Sequence, residues 1–337
     1  MSRSPSVWGM AALAVVVTLA GGTTLPPARP TPAGAADRSS LTVGAPAWVA
    51  VSVATLWRTP ASPRPVDAPA LARPARVRAW LARMTLTQRR GLAGRADTQA
   101  LLGDRVTVVR LRPGWARVVV ASQPTPLDAR GYPGWVPRRQ LSADAPDASS
   151  RRATVLARTT WLHADTRSAG RVFPVSFGTS LPVLAAGRQW VRVSLPGGAV
   201  RRLSRPAVAV HDSGAAALPA TRASLVRVAT SFVGLDYLWS GVSGFGLDCS
   251  GLTWLDYRVH GVRIPRDALP QSRGGTAVAT PRRADLLFYA AGGPVHHVTM
   301  YVGHGRMVHA PHTGAAVAVV PTSSMASQYA GARRYLR

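Results

Sequence analysis

The sequence predicts an α+β protein in which two small all-β barrels precede a domain of helices packed on an antiparallel sheet. Short valine-rich runs of alternating polarity, broken by Gly and Pro, fill residues 40–212. An apolar pattern of helical period follows Pro219, and strand-like alternation surrounds His297. The 337-residue chain is long enough for several such domains, each with a core of its own.

Residues 1–36 have the layout of a secretory signal peptide. Arg3 precedes an apolar run over residues 7–20, and a Pro-rich stretch leads to Ala35 and Ala36, where we expect cleavage. A membrane anchor is the alternative, but the run is shorter than the roughly 20 residues that a helix needs to cross a bilayer. We therefore expect an exported, cell-wall-associated protein that keeps no stable membrane span after cleavage.

The chain is strongly basic, with 41 basic and 14 acidic residues and a formal net charge of +27. Such a charge attracts any polyanion, including nucleic acid, anionic lipid, and the phosphates and carboxylates of a cell wall. The arginines are scattered along the chain, and no zinc-finger or RNA-binding signature accompanies them. We therefore expect no nucleic-acid partner.

The β-rich part contains an internal repeat. The spacing from Gly103 to Trp115 recurs from Gly178 to Trp190, at an offset of 75 residues and with the same alternation before each Trp. The two copies predict domains at 40–145 and 150–212 that resemble bacterial SH3-like domains. One irregular β domain is the alternative.

The first copy carries an insertion at about residues 60–91, in which residues 77–90 predict a short amphipathic helix. Small residues over 213–219 predict a linker between the second copy and the last domain. The predicted third domain covers residues 220–337, and its first helix ends at Gly234.

Cys249 is the only cysteine, so the chain forms no internal disulfide. A Gly-rich segment over residues 237–247, called the approach below, precedes Cys249. Leu252, Leu255 and Val259 form the apolar stripe of a following helix. A cysteine in the first turn of a helix is expected to be stabilised as a thiolate by the free N–H groups and the helix dipole. A buried cysteine that acts only as a small apolar side chain is the alternative.

Two histidines are candidates for the base that such a nucleophile requires. Residues 297–302 and 306–309 alternate as the strands of a β-hairpin. If Val302 pairs with Arg306 across a three-residue loop, His297 and His309 become diagonal neighbours on one face. His309 is then expected to orient the ring of His297, as an aspartate does in other triads.

These motifs resemble the NlpC/P60 family of cell-wall cysteine peptidases, whose fold is a reduced papain-like arrangement. The resemblance covers roughly residues 225–337 and rests on six segments in the family's order: Tyr237 to Gly241, Asp248 to Leu252, Pro265-Arg266 with Gln271, Ala284-Asp285-Leu286, His297-Val298, and His309-Ala310-Pro311. The chain departs from the family pattern at Ser240 and Ala284, where glycine is usual, and at Asp267, where Ser or Thr is common.

The resemblance implies that Cys249, His297 and His309 are the catalytic triad. It implies that substrate is contacted by the residues of the approach, of the nucleophile motif and of the Pro-Arg segment, which are Tyr237, Trp239, Asp248, Ser250 and Arg266. The implied reaction is hydrolysis of a peptidoglycan stem peptide at the γ-D-glutamyl-diaminopimelate bond through a thioester acyl-enzyme, with no metal and no cofactor.

Two other functions stay open from the sequence. An amidase or acyltransferase of the same fold would use the same Cys and His with a different acceptor. A non-catalytic wall-binding protein would keep the fold without turnover. A zinc site is not expected, because one Cys and hairpin histidines lack the spacing of paired zinc ligands.

Overall fold

The computed structural model describes residues 40–336, so the predicted signal peptide at 1–36 and the final residue Arg337 lie outside the described residues. None of the helices within 40–336 is long and apolar enough to cross a membrane.

The first seven strands form one antiparallel sheet. They occur in the order β3-β2-β6-β5-β4-β1-β7, and strands β2 and β3 are separated in sequence by the insertion. The strands are β1 Pro46–Val49, β2 Val53–Trp57, β3 Ala96–Leu101, β4 Arg105–Arg112, β5 Trp115–Val120, β6 Tyr132–Pro137 and β7 Leu141–Ser142.

The next seven strands form a second antiparallel sheet whose order, β10-β9-β13-β12-β11-β8-β14, repeats that of the first. Each strand takes the place of the one seven numbers before it, which confirms the predicted internal repeat. The strands are β8 Arg151–Val155, β9 Thr159–Ala164, β10 Arg171–Ser176, β11 Ser180–Ala186, β12 Trp190–Ser194, β13 Val200–Ser204 and β14 Val208–Asp212.

The insertion holds three short helices, α1 Ala68–Leu71, α2 Val77–Arg83 and α3 Leu86–Arg90. The prediction of one helix over residues 77–90 was wrong. Helix α2 ends at Arg83, and Thr85 is the N-cap of α3. Its hydroxyl accepts from the N–H of Gln88 at 3.2 Å, and the Gln88 side chain accepts from the N–H of Thr85 at 2.9 Å. This reciprocal capping box replaces the backbone hydrogen bonds that a continuous helix would make there.

The third domain packs three helices, α4 Arg222–Ser231, α5 Cys249–Val259 and α6 Ala268–Arg273, on a six-stranded antiparallel sheet in the order β17-β22-β18-β19-β20-β21. A two-stranded ribbon, β15 and β16, precedes α5. The predicted α+β class is thereby confirmed. The strands are β15 Val242–Ser243, β16 Gly246–Leu247, β17 Thr276–Val278, β18 Leu286–Tyr289, β19 His297–Gly303, β20 Arg306–His309, β21 Ala318–Pro321 and β22 Tyr329–Arg334.

Helix α5 is packed between the barrels and the sheet. The buried apolar residues of the first barrel and of the third domain form one continuous cluster that includes Leu255 of α5. Phe177, which follows β10 of the second barrel, meets Phe232 edge to face at 5.2 Å between ring centroids. The first contact holds the helix that carries the nucleophile against the first barrel, and the second holds the end of α4 against the second barrel.

Short polar contacts join the domains as well. Arg258 of α5 forms an ion pair with Asp104 of the first barrel. In the segment 213–219, the N–H groups of Ala217 and Leu218 both donate to the carbonyl of Val259 at 3.1 Å, so the predicted linker is fastened to the end of α5. We propose the domain bounds 40–145, 150–212 and 220–337 on this layout.

Candidate active site

Cys249 is the first residue of α5, and Asp248 is the N-cap. The Asp248 carboxylate accepts from the N–H of Gly251 at 2.6 Å, which closes the first turn around the thiol. Gly251 has to be glycine, because a Cβ there would lie 2.0 Å from the carbonyl oxygen of Gly241. The Gly-rich approach and the helix therefore meet backbone to backbone directly beside the nucleophile.

The hairpin of β19 and β20 brings His297 and His309 together. Nε2 of His297 lies 3.0 Å from Nδ1 of His309, and the ring centroids are 5.2 Å apart. Met300 pairs with Val308, which is the register that the sequence predicted for this end of the hairpin. The relay between the two rings is therefore present.

The turn of this hairpin differs from the prediction. Gly303, not Val302, pairs with Arg306, and the register shifts between Tyr301 and Gly303. His304 and Gly305 form a two-residue turn with positive φ at both positions, 52° and 65°. The shift compensates for the shorter turn, so the pairing beside the histidines is unchanged.

Both histidines are neutral at neutral pH. Burial lowers the pKa of His297 to about 3, with the nearby imidazoles of His309, His296 and His312 contributing. Burial and His312 lower the pKa of His309 to about 4. A neutral His297 can accept a proton, and its Nδ1 is the nitrogen not engaged by His309.

Burial opposes the expected stabilisation of a thiolate at Cys249. Burial, followed by the negative charge of Asp248, raises the pKa of the thiol to about 12. The N–H groups of Val298 and Ser250 act in the opposite direction but are outweighed. Loss of solvation exceeds the stabilisation that a helix N-terminus provides. These directions favour a neutral thiol and a neutral imidazole, and the N–H of Val298 places the thiol next to the strand that begins with His297.

A cavity of about 300 Å³ opens in front of Cys249. Its lining comes from the third domain and also from the first barrel, which contributes Arg58, Asp97 and Tyr132. The guanidinium of Arg58 is paired with Asp97 at 2.7 Å. The first barrel therefore forms one wall of the candidate active site. Four of the five predicted substrate contacts also line the cavity: Tyr237, Trp239, Asp248 and Ser250.

Arg266, the fifth predicted substrate contact, does not line the cavity. It is buried beneath the cavity floor, where Nη2 lies 2.5 Å from Oδ2 of Asp248 and Nη1 donates to Ser250 Oγ at 2.9 Å. Its Nε donates to the hydroxyl of Thr98 in the first barrel. Because the guanidinium of Arg266 is already hydrogen-bonded to protein side chains, we assign this residue a role in positioning Asp248 and Ser250 and not in contacting substrate.

Gln271 completes this support. Its amide group donates to the carbonyls of Ser250 and Pro265 at 3.2 and 2.8 Å, and its carbonyl accepts from Thr253 at 2.9 Å. It joins α6 to the first turn of α5. Buried side chains that satisfy one another in this way fix a single geometry.

Sequence reasoning missed the residues of the first barrel that line the cavity. Nothing in the local pattern around Arg58, Asp97 or Tyr132 distinguishes them, because their role depends on how two domains pack. Asp267 gave a signal, as the acidic residue in a family position usually held by Ser or Thr, and it interacts with the Tyr132 hydroxyl. His296, which immediately precedes β19, also lines the cavity and is exposed.

Within residues 40–336, no three His, Cys, Asp or Glu side chains are grouped as a metal site would require. His163 packs against Trp190 in the second barrel, at 4.7 Å between ring centroids. The buried His260 donates from Nδ1 to the carbonyl of Asp256 at 2.7 Å, and its Nε2 forms a hydrogen bond with the Ser224 hydroxyl at 2.9 Å.

Comparisons with known proteins identify the family of the third domain and of the second barrel. A model described as the NlpC/P60 family matches residues 234–334, and one described as the YKFC SH3b2 domain matches residues 155–211. The gamma-D-glutamyl-L-lysine dipeptidyl-peptidase of Bacillus cereus is 39% identical over 302 residues, which is 86% of this chain and 91% of the relative. The protein of the same description from Bacillus subtilis is 37% identical over 80% of this chain and 91% of its own.

A solved structure is similar over the same extent. The crystal structure of an NlpC/P60 family protein from Bacillus cereus matches with a TM-score of 0.82 and 38% identity, over 87% of this chain and 100% of that chain. The similarity extends through both barrels as well as the third domain.

Proposed function

Because this chain belongs to the NlpC/P60 family of cysteine peptidases, we propose that it is an exported hydrolase that cleaves peptidoglycan stem peptides at the γ-D-glutamyl bond. The names of the two Bacillus relatives support this bond, since both are gamma-D-glutamyl-L-lysine dipeptidyl-peptidases. The predicted signal peptide over residues 1–36 supports export, and the net charge of +27 suits an anionic wall.

The geometry supports catalysis by a neutral thiol and a neutral imidazole. For Nδ1 of His297 to accept the thiol proton, its Nε2 has to carry hydrogen and donate to Nδ1 of His309, which is the observed 3.0 Å contact. The thiolate then attacks the γ-carbonyl, and the N–H of Cys249, in a helix turn without intrahelical acceptors, is placed to bind the oxyanion. His297 returns the proton to the leaving amine, and water hydrolyses the thioester.

We propose further that the enzyme releases a dipeptide from a free N-terminus. This proposal of dipeptide release rests on one wall of the cavity, which the first barrel forms with Arg58, Asp97 and Tyr132. A cavity of about 300 Å³ that is closed on that side has room for a short acyl portion and excludes a continuing glycan strand.

The acidic side chains of the cavity also support the release of a dipeptide from a free N-terminus. Carboxylates of Asp97, Asp248 and Asp267 line it, whereas Arg58 is paired with Asp97 and Arg266 with Asp248. A free α-ammonium group entering this cavity gains charge-assisted hydrogen bonds to carboxylate oxygens. An acylated N-terminus loses that charge and adds bulk where the barrel leaves no space.

The test is cleavage of defined stem tripeptides, in which L-Ala-γ-D-Glu is followed by either L-Lys or meso-diaminopimelate. Each peptide is prepared with a free and with an acetylated N-terminus, and products are identified by mass spectrometry. We expect L-Ala-γ-D-Glu to be released from the free peptides only. The ratio of the two rates gives the preferred diamino acid.

Equal cleavage of the acetylated peptides, or release of fragments from intact sacculi, would contradict the dipeptidyl mode and indicate an endopeptidase. Transfer of the acyl group to an added amine in preference to water would instead indicate an acyltransferase of the same fold.

A further inference from the structure

Ser240 occupies an unusual backbone position in the wall of the active-site cavity. It lies between Trp239 and Gly241, lines the cavity and is 2% exposed. Its φ is 66°, in the left-handed region that favours glycine because a Cβ there crowds the backbone. The chain thus keeps a side chain where it costs stability.

The hydroxyl of Ser240 has no hydrogen-bond partner among residues 40–336. A buried polar group without a partner is uncommon and costs stability as well. Ser250, the other serine that lines the cavity, does have hydrogen-bond partners. Ser250 donates to Oδ1 of Asp248 at 3.1 Å and accepts from Arg266 at 2.9 Å, so its hydroxyl is already engaged.

Ser240 is also held directly against the nucleophile's helix. The carbonyl of Gly241 accepts from the N–H of Asp248 at 3.1 Å, and this carbonyl touches Gly251 in the first turn of α5. Ser240 immediately precedes this backbone contact and lines the same cavity as Cys249. Rotation about its single χ angle is the only movement that the hydroxyl needs in order to change its direction.

We propose that Ser240 is a specificity-determining residue whose hydroxyl binds the free α-carboxyl group of the γ-glutamyl residue. This rests on the proposed function. A γ-linked glutamyl residue differs from an ordinary acyl group in carrying that free α-carboxyl, which the chain Cα–Cβ–Cγ separates from the scissile carbonyl. Arg58 in the cavity lining is paired with Asp97, and Arg266 beneath the cavity floor is paired with Asp248. The unpartnered hydroxyl is a neutral donor that can meet the carboxyl group without another cation.

Ser240→Gly separates this role from a structural one. It removes the hydroxyl and at the same time relieves the left-handed backbone, so activity and stability are expected to change in opposite directions. Ala284→Gly is the matched control, because Ala284 has a φ of 70° and lies outside the cavity lining. The two substrates are L-Ala-γ-D-Glu-L-Lys and the same peptide with γ-aminobutyrate in place of γ-D-Glu, which lacks only the α-carboxyl group.

With the γ-D-glutamyl peptide, we expect Ser240→Gly to lower kcat/KM about tenfold, the size of one hydrogen bond to a charged group. With the γ-aminobutyryl peptide, we expect the variant and the wild type to have equal kcat/KM. Both glycine variants are expected to raise Tm by about 2 °C. Ala284→Gly is expected to leave both rates unchanged.

An unchanged kcat/KM of Ser240→Gly on the γ-D-glutamyl peptide overturns the proposal. An equal fall on both peptides also overturns it, because the hydroxyl would then act on something other than the α-carboxyl group. If the wild type cleaves no γ-D-glutamyl peptide, the proposed function itself fails. Cleavage by the wild type with no selective loss in the variant overturns only the role of Ser240.

Discussion

The guanidinium of Arg266 holds the carboxylate of Asp248 from below, with nitrogen–oxygen distances of 2.5 and 3.1 Å. Because Asp248 caps the helix that begins with Cys249, this ion pair fixes the first turn around the nucleophile. Arg266 also donates to Thr98. One buried side chain therefore joins the cavity floor to the first barrel.

Removal of this arginine is expected to destabilise the whole protein. Arg266→Met leaves the Asp248 carboxylate buried without its partner, and we expect the free energy of unfolding to fall by about 3–5 kcal/mol. Arg266→Lys keeps the positive charge but loses the planar contact through two nitrogens. We therefore expect its free energy of unfolding to lie between those of Arg266→Met and the wild type. Guanidinium unfolding monitored by tryptophan fluorescence measures both, and a fully stable Arg266→Lys would contradict the account.

Activity is expected to persist in mild acid. The base is the neutral form of His297, which is present above its pKa, and burial places that pKa at about 3. The acid limb of kcat/KM is therefore expected well below the value of about 6.5 for an exposed histidine. The measurement is a kcat/KM profile on a stem tripeptide from pH 4 to pH 9. A half-maximal point near pH 6.5 would show that His297 is solvated.

Stability is expected to fall over the same acid range. The pKa values of His297 and His309 are lower in the folded protein than in the unfolded chain. At pH values between the folded and unfolded pKa, the unfolded chain therefore binds more protons. This contribution is complete above about pH 6.5 and is lost as the pH falls towards the folded pKa values. At pH 5 we expect a loss of about 2 kcal/mol for each histidine.

The variant His309→Asn isolates one of these groups. Its unfolding free energy, measured by denaturant titration at pH 7 and pH 5, is expected to change less between the two conditions than that of the wild type. Identical pH dependence in both proteins would mean that His309 titrates alike in the folded and unfolded states.

Cys249 is expected to react slowly with alkylating agents in the absence of substrate. The thiol is buried and its pKa is raised to about 12, whereas iodoacetamide attacks only the thiolate. Mass spectrometry of the intact protein is expected to show slower alkylation at pH 8 than that of free cysteine. Faster alkylation than free cysteine at pH 7 would show that a thiolate-imidazolium pair is already present.

The sequence was sufficient for the parts of the site that depend on local pattern. The stripe of Leu252, Leu255 and Val259 predicted the helix that begins at Cys249, and alternation predicted the strand register that brings His297 to His309. Ser240 and Ala284 were recognised as departures from glycine, and both have positive φ. These features are encoded within a few residues of one another.

The parts that depend on packing were not predictable in this way. Arg58, Asp97 and Tyr132 reach the cavity only because the first barrel docks on the third domain. The direction in which the pKa of Cys249 is shifted follows from burial, and burial is a property of the assembled fold. Arg266 was correctly placed near the site, but only the structure shows that its guanidinium is already occupied.

The central claim is that Cys249, with His297 as base, cleaves the γ-D-glutamyl bond. The most direct test is the release of L-Ala-γ-D-Glu from its tripeptide by the wild type and by Cys249→Ala, with folding of the variant confirmed by circular dichroism. We predict release by the wild type and a fall of about 10⁴-fold or more in the folded variant. Release of the same dipeptide by Cys249→Ala at a comparable rate would contradict the assignment of the nucleophile.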